Sequence, residues 1–248
     1  MFWNSRKQKK LFVKYAGAKT LEYSGDVNDA TIRLMNSVPL YETLKHDALI
    51  TLIDSFCVSG GFATVFKWFN GKNLHPHWEF PPPAKYTNPD SPFFKFKHLP
   101  IHLRLKALDS IFDFHLHVEH RGYTAIDFYD GSLLYNFINN KIKICDIDFY
   151  KKNPYVNTME KLWGSTRFMS PEEFVKGAVI DEKTNVYNMG ATAFCLIGGE
   201  MDRTLKKWDG PEDLFYIAQK ATKDDRNKRY SSVHAFCQEW KRVRSCQS

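Results

Sequence analysis

The stretch TAIDFYDGSLLYNFINNKIKICDID, residues 124–148, carries four aspartates within 22 positions: Asp127, Asp130, Asp146 and Asp148. Its middle reads as a β-hairpin. SLLYNF at 132–137 and KIKICDIDF at 141–149 have the β-branched and aromatic content of strands, and INNK at 138–141 joins them as a turn. A loop precedes the hairpin and a pair of carboxylates follows it. Carboxylates gathered at strand ends beside a loop suit the binding of a divalent cation through oxygen and the acceptance of a proton from a substrate hydroxyl. One aspartate in such a place reads first as a turn or cap residue. Four together point to chemistry.

Upstream of this stretch, Leu103, Leu105, Leu108, Ile111, Phe112 and Leu116 recur at helical spacing and predict a long core helix ending near His120 and Gly122. Beyond residue 180, VYNMGATAFCLI, DLFYIAQKA and SVHAFCQEW read as further helical segments. Near the amino terminus, LFVKY at 11–15 and FATVFKWF at 62–69 read as strands. Between them, 28–46 has helical spacing in Ile32, Met35, Val38 and Leu44. Pro39 is expected to kink or divide that helix, because proline lacks a backbone donor and its ring meets the preceding turn. The stretch from Lys72 to Pro92, with PPP at 81–83 and NPDSP at 88–92, is expected to hold no regular element and to mark a boundary between two lobes.

Composition bounds the remaining classes. A chain of 248 residues, 43% apolar and 15% aromatic, buries a sizeable core. The five cysteines, Cys57, Cys145, Cys195, Cys237 and Cys246, are scattered and odd in number, which speaks against a zinc site or a disulfide framework and for a reducing compartment. MFWNSRKQKK is followed by LFVKYAG rather than a long apolar core, and no run of about 18 apolar residues occurs, so a cytoplasmic protein with no membrane span is expected. The formal charge of +7 is spread along the chain except at Arg6 to Lys10 and Lys241 to Arg244. It reads as a solvated basic surface, and a nucleic-acid partner is not expected.

Several motifs in chain order resemble those of the protein kinase superfamily, in particular bacterial-type serine/threonine kinases, with a reduced amino-terminal lobe. GSTRFMSPE at 164–172 is similar to GTxxYMAPE at the end of the kinase activation segment. ICDID at 144–148 resembles the strand and DFG motif, with Ile147 and Asp148 in place of Phe and Gly. AIDFYDGS at 125–132 matches the catalytic loop HRDLxxxN in spacing, with Ala125 and Ile126 replacing His and Arg and Ser132 replacing Asn. NVYNMGATAF at 185–194 resembles the start of the family's buried central helix, and KDDRNKRYSS at 223–232 its DPxxRPS motif. FVKYAG at 12–17 is similar to the VAIK strand, LKHDALITLID at 44–54 to LxHPNIVxLxD, and FATVFKWFNGKNL at 62–74 to the strand and hinge.

The resemblance implies an α+β, bilobal protein-kinase-like fold in a single domain, with residues 1–74 as a reduced small lobe and hinge, 75–98 as a linker or insert, and 99–248 as the larger, mainly helical lobe. It implies ATP and Mg²⁺ as cofactors and transfer of phosphate to serine or threonine of a protein. Asp127 would be the catalytic aspartate, and Lys14 would meet the α- and β-phosphates. Lys67, Trp68 and Phe69 would line the adenine site with backbone groups. Asp146 would hold the metal with Ser132, Asp148 or Asp130 offering the second contact. Ser165 and Thr166 would face the substrate. Asn185 would anchor the catalytic loop, and Glu172 with Arg229 would form a buried structural ion pair. Two parts of the family pattern are missing. The ten residues before Leu11 contain no glycine, so the GxGxxG loop is absent or has been lost from this chain, and the helix position expected to carry the Glu partner of Lys14 falls on Ser37 or Asn36, with Glu42 the nearest acid. The absence of an Arg beside Asp127 argues against control by phosphorylation of the activation segment. The alternative is a pseudokinase, a nucleotide-binding or scaffold protein with little or no catalysis; a small-molecule kinase is disfavoured by the GTxxYMAPE-like segment.

Overall fold

The computed structural model describes residues 10–19 and 25–245. The glycine-free segment 1–9 and Cys246 lie outside the described residues. The chain is mixed α+β, 43% helical and 18% strand, so helices carry most of the packing and the sheets are small and antiparallel. The first unit comprises β1 (Leu11–Ala16), α1 (Val27–Thr43), β2 (Leu52–Val58) and β3 (Gly61–Lys67). The strands form one sheet in the order β1-β3-β2, with Lys14 paired to Thr64. Helix α1 starts where the Asp26 side chain accepts the Asn28 N–H, and it buries Leu34, Ser37 and Tyr41. Pro39 does not divide it. The proline stands one turn before the end, where it removes only the bond that its N–H would make to Met35.

The next segment corrects an expectation. Within Lys72 to Pro92 lie β4 (Lys72–Asn73) and α2 (Ala84–Thr87), and α3 (Pro92–Lys97) follows. Ser91 caps α3 by accepting the Phe94 N–H, with Pro92 at the first helical position, where its missing donor costs nothing. Lys85, Phe93 and Phe96 are buried, so the proline-rich stretch is packed structure and not a free connector.

Helix α4 (Ile101–His120) is the long helix the leucine spacing foretells. It leads through β5 (Tyr123–Thr124) to the hairpin of β6 (Leu133–Asn136) and β7 (Lys141–Ile144), with Leu133 opposite Ile144. Strand β7 ends at Ile144, so Asp146 and Asp148 emerge beyond it. Short strands β8 (Lys151–Lys152), β9 (Tyr155–Val156) and β10 (Val179–Ile180) precede α5 (Glu182–Ile197), α6 (Glu212–Ala221) and α7 (Val233–Ser245). No described helix is long and apolar enough to cross a membrane.

Helix α5 is buried from Thr184 to Ile197 and forms the axis of the helical part. Gly190 lets α6 approach closely, since a Cβ there would lie 2.8 Å from the Ala221 Cβ. One apolar cluster runs from Tyr41 and Phe66 through α4 and α5 to Trp240. The segment leading into β2 is fastened to β7 by backbone bonds: the Ile50 N–H donates to the Ile144 carbonyl (2.9 Å) and the Ile144 N–H to that of Ala48 (2.6 Å). That rung fixes where the chain leaves β7 toward Asp146.

His115 on α4 is fully buried, donating from Nδ1 to the Ile111 carbonyl and accepting at Nε2 from the Tyr150 hydroxyl. Burial lowers its pKa to about 4. The unfolded chain therefore binds a proton that the folded chain refuses, and stability is lost as pH falls from the ordinary histidine value through 4. The expected loss is about 3 kcal/mol, from 1.36 kcal/mol per unit. Urea unfolding at pH 7.5 and 4.5 checks this. His115→Gln should flatten the acid limb, and an unchanged slope would assign acid sensitivity to other groups.

Candidate active site

Strand β1 presents Lys14 on the side facing α1 and the end of β7. Its ammonium lies 2.6 Å from Asp146 Oδ1 and 2.7 Å from Asp148 Oδ2. Burial works against the lysine charge, but the two carboxylates outweigh it and raise its pKa. The carboxylates differ in setting. The Asp148 side chain is 4% exposed and that of Asp146 53%. Tyr41, packed edge-on to Phe66 at 4.9 Å, donates its hydroxyl to Asp148 Oδ1 (3.4 Å) and accepts the Ile147 N–H (3.4 Å).

Asp127 lies half-buried on the loop after β5, and both it (φ 61°) and Asp146 (φ 58°) occupy the left-handed region. Such backbone costs about 1–3 kcal/mol per residue and gathers at functional sites. Burial, then the Asp146 charge, push the Asp127 carboxyl up to about 7, against the pull of Lys14 and Arg33. Two asparagines of α5, one turn apart, hold this loop. Asn185 accepts the Ala125 N–H (2.8 Å) and donates to the Tyr123 carbonyl (3.0 Å), and Asn188 donates to the Phe128 carbonyl (3.0 Å). Sequence reasoning selected Asn185 and missed Asn188, although a polar residue three positions along in an apolar helix was a readable signal.

Segment 164–170 lies against Asp127. Gly164 has φ 141°, and a Cβ there would lie 3.3 Å from Met169 Cγ and 3.6 Å from Asp127 Cα. Ser165 is half-buried, Thr166 is exposed, and the Ser165 carbonyl accepts the Phe168 N–H. Gly164→Ala is expected to cost about 1–3 kcal/mol through the backbone conformation alone and to speed hydrogen exchange in residues 164–169. Unchanged exchange there would show that the segment does not depend on this approach.

The residues expected to meet a nucleotide are arranged as follows. Lys67 is exposed, and its N–H already donates to the Thr51 carbonyl. Among the described residues the backbone N–H groups of Trp68 and Phe69 have no hydrogen-bond partner. Ser132 is buried, its carbonyl accepts the Cys145 N–H beside Asp146, and its Oγ has no partner. A hydroxyl and a carboxylate are oxygen groups of the kind Mg²⁺ takes, and Ser132 and Asp146 stand on adjoining strand ends. The buried Ser37 donates to the Leu34 carbonyl, and Glu42 is exposed.

Asp130 sits in a separate charge cluster that sequence reasoning did not find. Its carboxylate receives Lys85 Nζ at 2.5 Å and both Nη atoms of Arg167 at 3.0 and 2.7 Å. Glu200 pairs with the same two cations at 3.1 Å each. Burial opposes ionisation of Asp130, yet Arg167 and Lys85 hold it below the ordinary carboxylate value. Asp130, Cys195 and Glu200 have ligand atoms close enough for a metal ion. Lys85 and Arg167 already fill that role, and Asp130 is therefore not free to serve a cation at Asp146. Further off, Glu172 and Arg229 form a two-pronged pair at 2.7 and 2.9 Å. No protein-family model matches the chain, and no curated protein matches it.

Proposed function

We propose that the chain is a protein-kinase-like phosphotransferase of bilobal form, with β1 to β3 and α1 as a reduced small lobe, that moves the terminal phosphoryl group of ATP to a protein serine or threonine. One observation carries this reading: Lys14, from β1, meets Asp146, from the end of β7, and a further carboxylate, Asp127, has its proton affinity raised by burial and then by the Asp146 charge. A cation, a proton acceptor and a metal-type carboxylate brought together from three separate elements are what phosphoryl transfer uses.

The roles follow from the settings. Asp127, with an affinity near neutrality, accepts the proton of the attacking hydroxyl. Lys14 would contact the nucleotide phosphates. The Phe69 N–H would meet the adenine edge. Asp146 and Ser132 would hold Mg²⁺, which when bound neutralises charge on the phosphoryl oxygens. Asn185 and Asn188 keep the Asp127 loop in place. Arg167 ties the segment bearing Ser165 and Thr166 to the loop bearing Asp127 through Asp130, so a polypeptide lying along that segment would have its hydroxyl next to the base.

The test is direct. Purified protein with Mg²⁺, labelled ATP and a generic protein substrate should transfer label, and Asp127→Ala and Asp146→Ala should not. Equal signal from all three would leave a scaffold on the same fold. Failure of ATP with Mg²⁺ to raise the melting temperature of the wild type would point the same way, because a ligand bound only by the folded state must stabilise it.

A further inference from the structure

Lys14 meets two carboxylates that differ in every respect except their distance from it. Asp146 is half-exposed and only its Oδ1 is engaged among the described residues. Asp148 is buried and has both oxygens occupied, Oδ2 by Lys14 and Oδ1 by the Tyr41 hydroxyl. A second metal ligand needs a free, accessible oxygen. Asp148 has none. Helix α1, the expected source of an acid for Lys14, contributes none among the described residues: Ser37 is turned to its own helix and Glu42 is exposed without an ion pair. What α1 does supply is Tyr41, and Tyr41 acts on Asp148.

We infer that Asp148, backed by Tyr41, is the positioning residue that holds Lys14 for the nucleotide phosphates, leaving Asp146 for the cation. This rests on the phosphotransferase reading. The two aspartates stand two apart in the loop that leaves β7, and both reach the same ammonium. The holder of the lysine and the metal carboxylate are thus carried by one short loop, fixed to the hairpin. Lys14 then keeps its counter-ion whatever α1 does, because Tyr41 only buttresses Asp148 and bears no charge partner for the lysine.

Two measurements test the assignment on the full chain. The first needs no nucleotide: melting temperatures of Lys14→Met, Asp148→Asn, Asp146→Asn and the two doubles containing Lys14→Met. A buried pair is strongly coupled and an exposed one weakly. Lys14→Met with Asp148→Asn should therefore melt near the Lys14→Met single variant, and Lys14→Met with Asp146→Asn near the sum of the single shifts. Equal coupling of both aspartates to Lys14 would overturn the inference even if the protein proves to be a scaffold. The second uses ADP as probe, by calorimetry in EDTA and across a Mg²⁺ titration. Asp148→Asn should weaken metal-free ADP binding at least tenfold and leave the half-saturating Mg²⁺ concentration within twofold of wild type, whereas Asp146→Asn should raise that concentration. A Mg²⁺ shift in Asp148→Asn as large as in Asp146→Asn would make Asp148 a metal ligand instead. Absence of ADP binding by the wild type in both conditions would remove the functional reading and leave the first measurement to decide the pairing.

Discussion

Asp127→Asn is expected to lower phosphoryl transfer by about 10²–10⁴-fold, the usual contribution of a positioned proton acceptor, and at the same time to raise the melting temperature at pH 8. The opposed signs come from one cause. Asp127 is half-buried beside Asp146, and its carboxyl is pushed from 3.8 to about 7. Between those values the folded state binds more protons than the unfolded one, so stability falls as pH rises through about 7. Asparagine has no charge to desolvate and tolerates φ of 61°. The variant and the wild type should thus melt together near pH 4 and diverge up to pH 8. A residue kept merely as a turn former would behave otherwise, with Asn neutral at every pH. Melting curves from pH 4 to 8 alongside the transfer assay decide the matter: a variant no more stable than wild type at pH 8 would deny Asp127 its raised affinity and its place as the base.

A stabilising change that disabled the site would mean that the left-handed aspartates serve the site and not the fold. Asp127 and Asp146 both sit on costly backbone, and the structure over-determines each. Asn185 and Asn188 hold the first from below, and the rung between Ile144 and Ala48 sets the exit toward the second. The strain is local, and its support comes from α5 and the segment leading into β2.

Which of these features could be read in advance follows from how far each depends on a partner. The β6–β7 hairpin, α4 and the buried α5 are written in periodicity and turn chemistry, and the chain shows them where the pattern put them. Lys14, Asp127 and Asp146 were each selectable from motif order, and they do lie together. The partners were not legible. Lys85 stands in a proline-rich stretch that looks solvated, and its burial follows only from Asp130 and Glu200, 45 and 115 positions away, with Phe93 stacked 4.0 Å beneath its ammonium. Arg167 looks like one more exposed cation until Asp130 is in place. Asp148 was selected from motif position as a metal contact, and neither its burial nor its bonds to Lys14 and Tyr41 can be read from that position. Strand β2 escaped notice because its face is largely exposed and its pattern lacks alternation.

The largest loss of stability is expected from Arg229→Met. The guanidinium side chain is fully buried, and all its nitrogens are used: both Nη atoms meet Glu172, and Nε, Nη1 and Nη2 also donate to the carbonyls of Lys223, Lys183 and Asp224. One residue thereby joins the turn before α7, the first turn of α5 and the end of segment 164–172. Removing it leaves the Glu172 carboxylate buried beside Thr184 without its cation. Such a break costs about 3–5 kcal/mol, which for a chain of this size lowers the melting temperature by about 6–20 °C. Arg229→Lys should recover little, since a single ammonium cannot reproduce a planar fork. Glu172→Gln should cost less than Arg229→Met, because the amide keeps one acceptor for the guanidinium and the three carbonyls still receive theirs. The informative variant is the double one, Glu172→Leu with Arg229→Met: with both charges gone no ion is stranded, so it should melt above Arg229→Met alone. A double variant that melts at the sum of the two single losses would mean that the pair acts through its separate carbonyl and hydroxyl contacts, and that the charges themselves contribute nothing to holding segment 164–172 against α5.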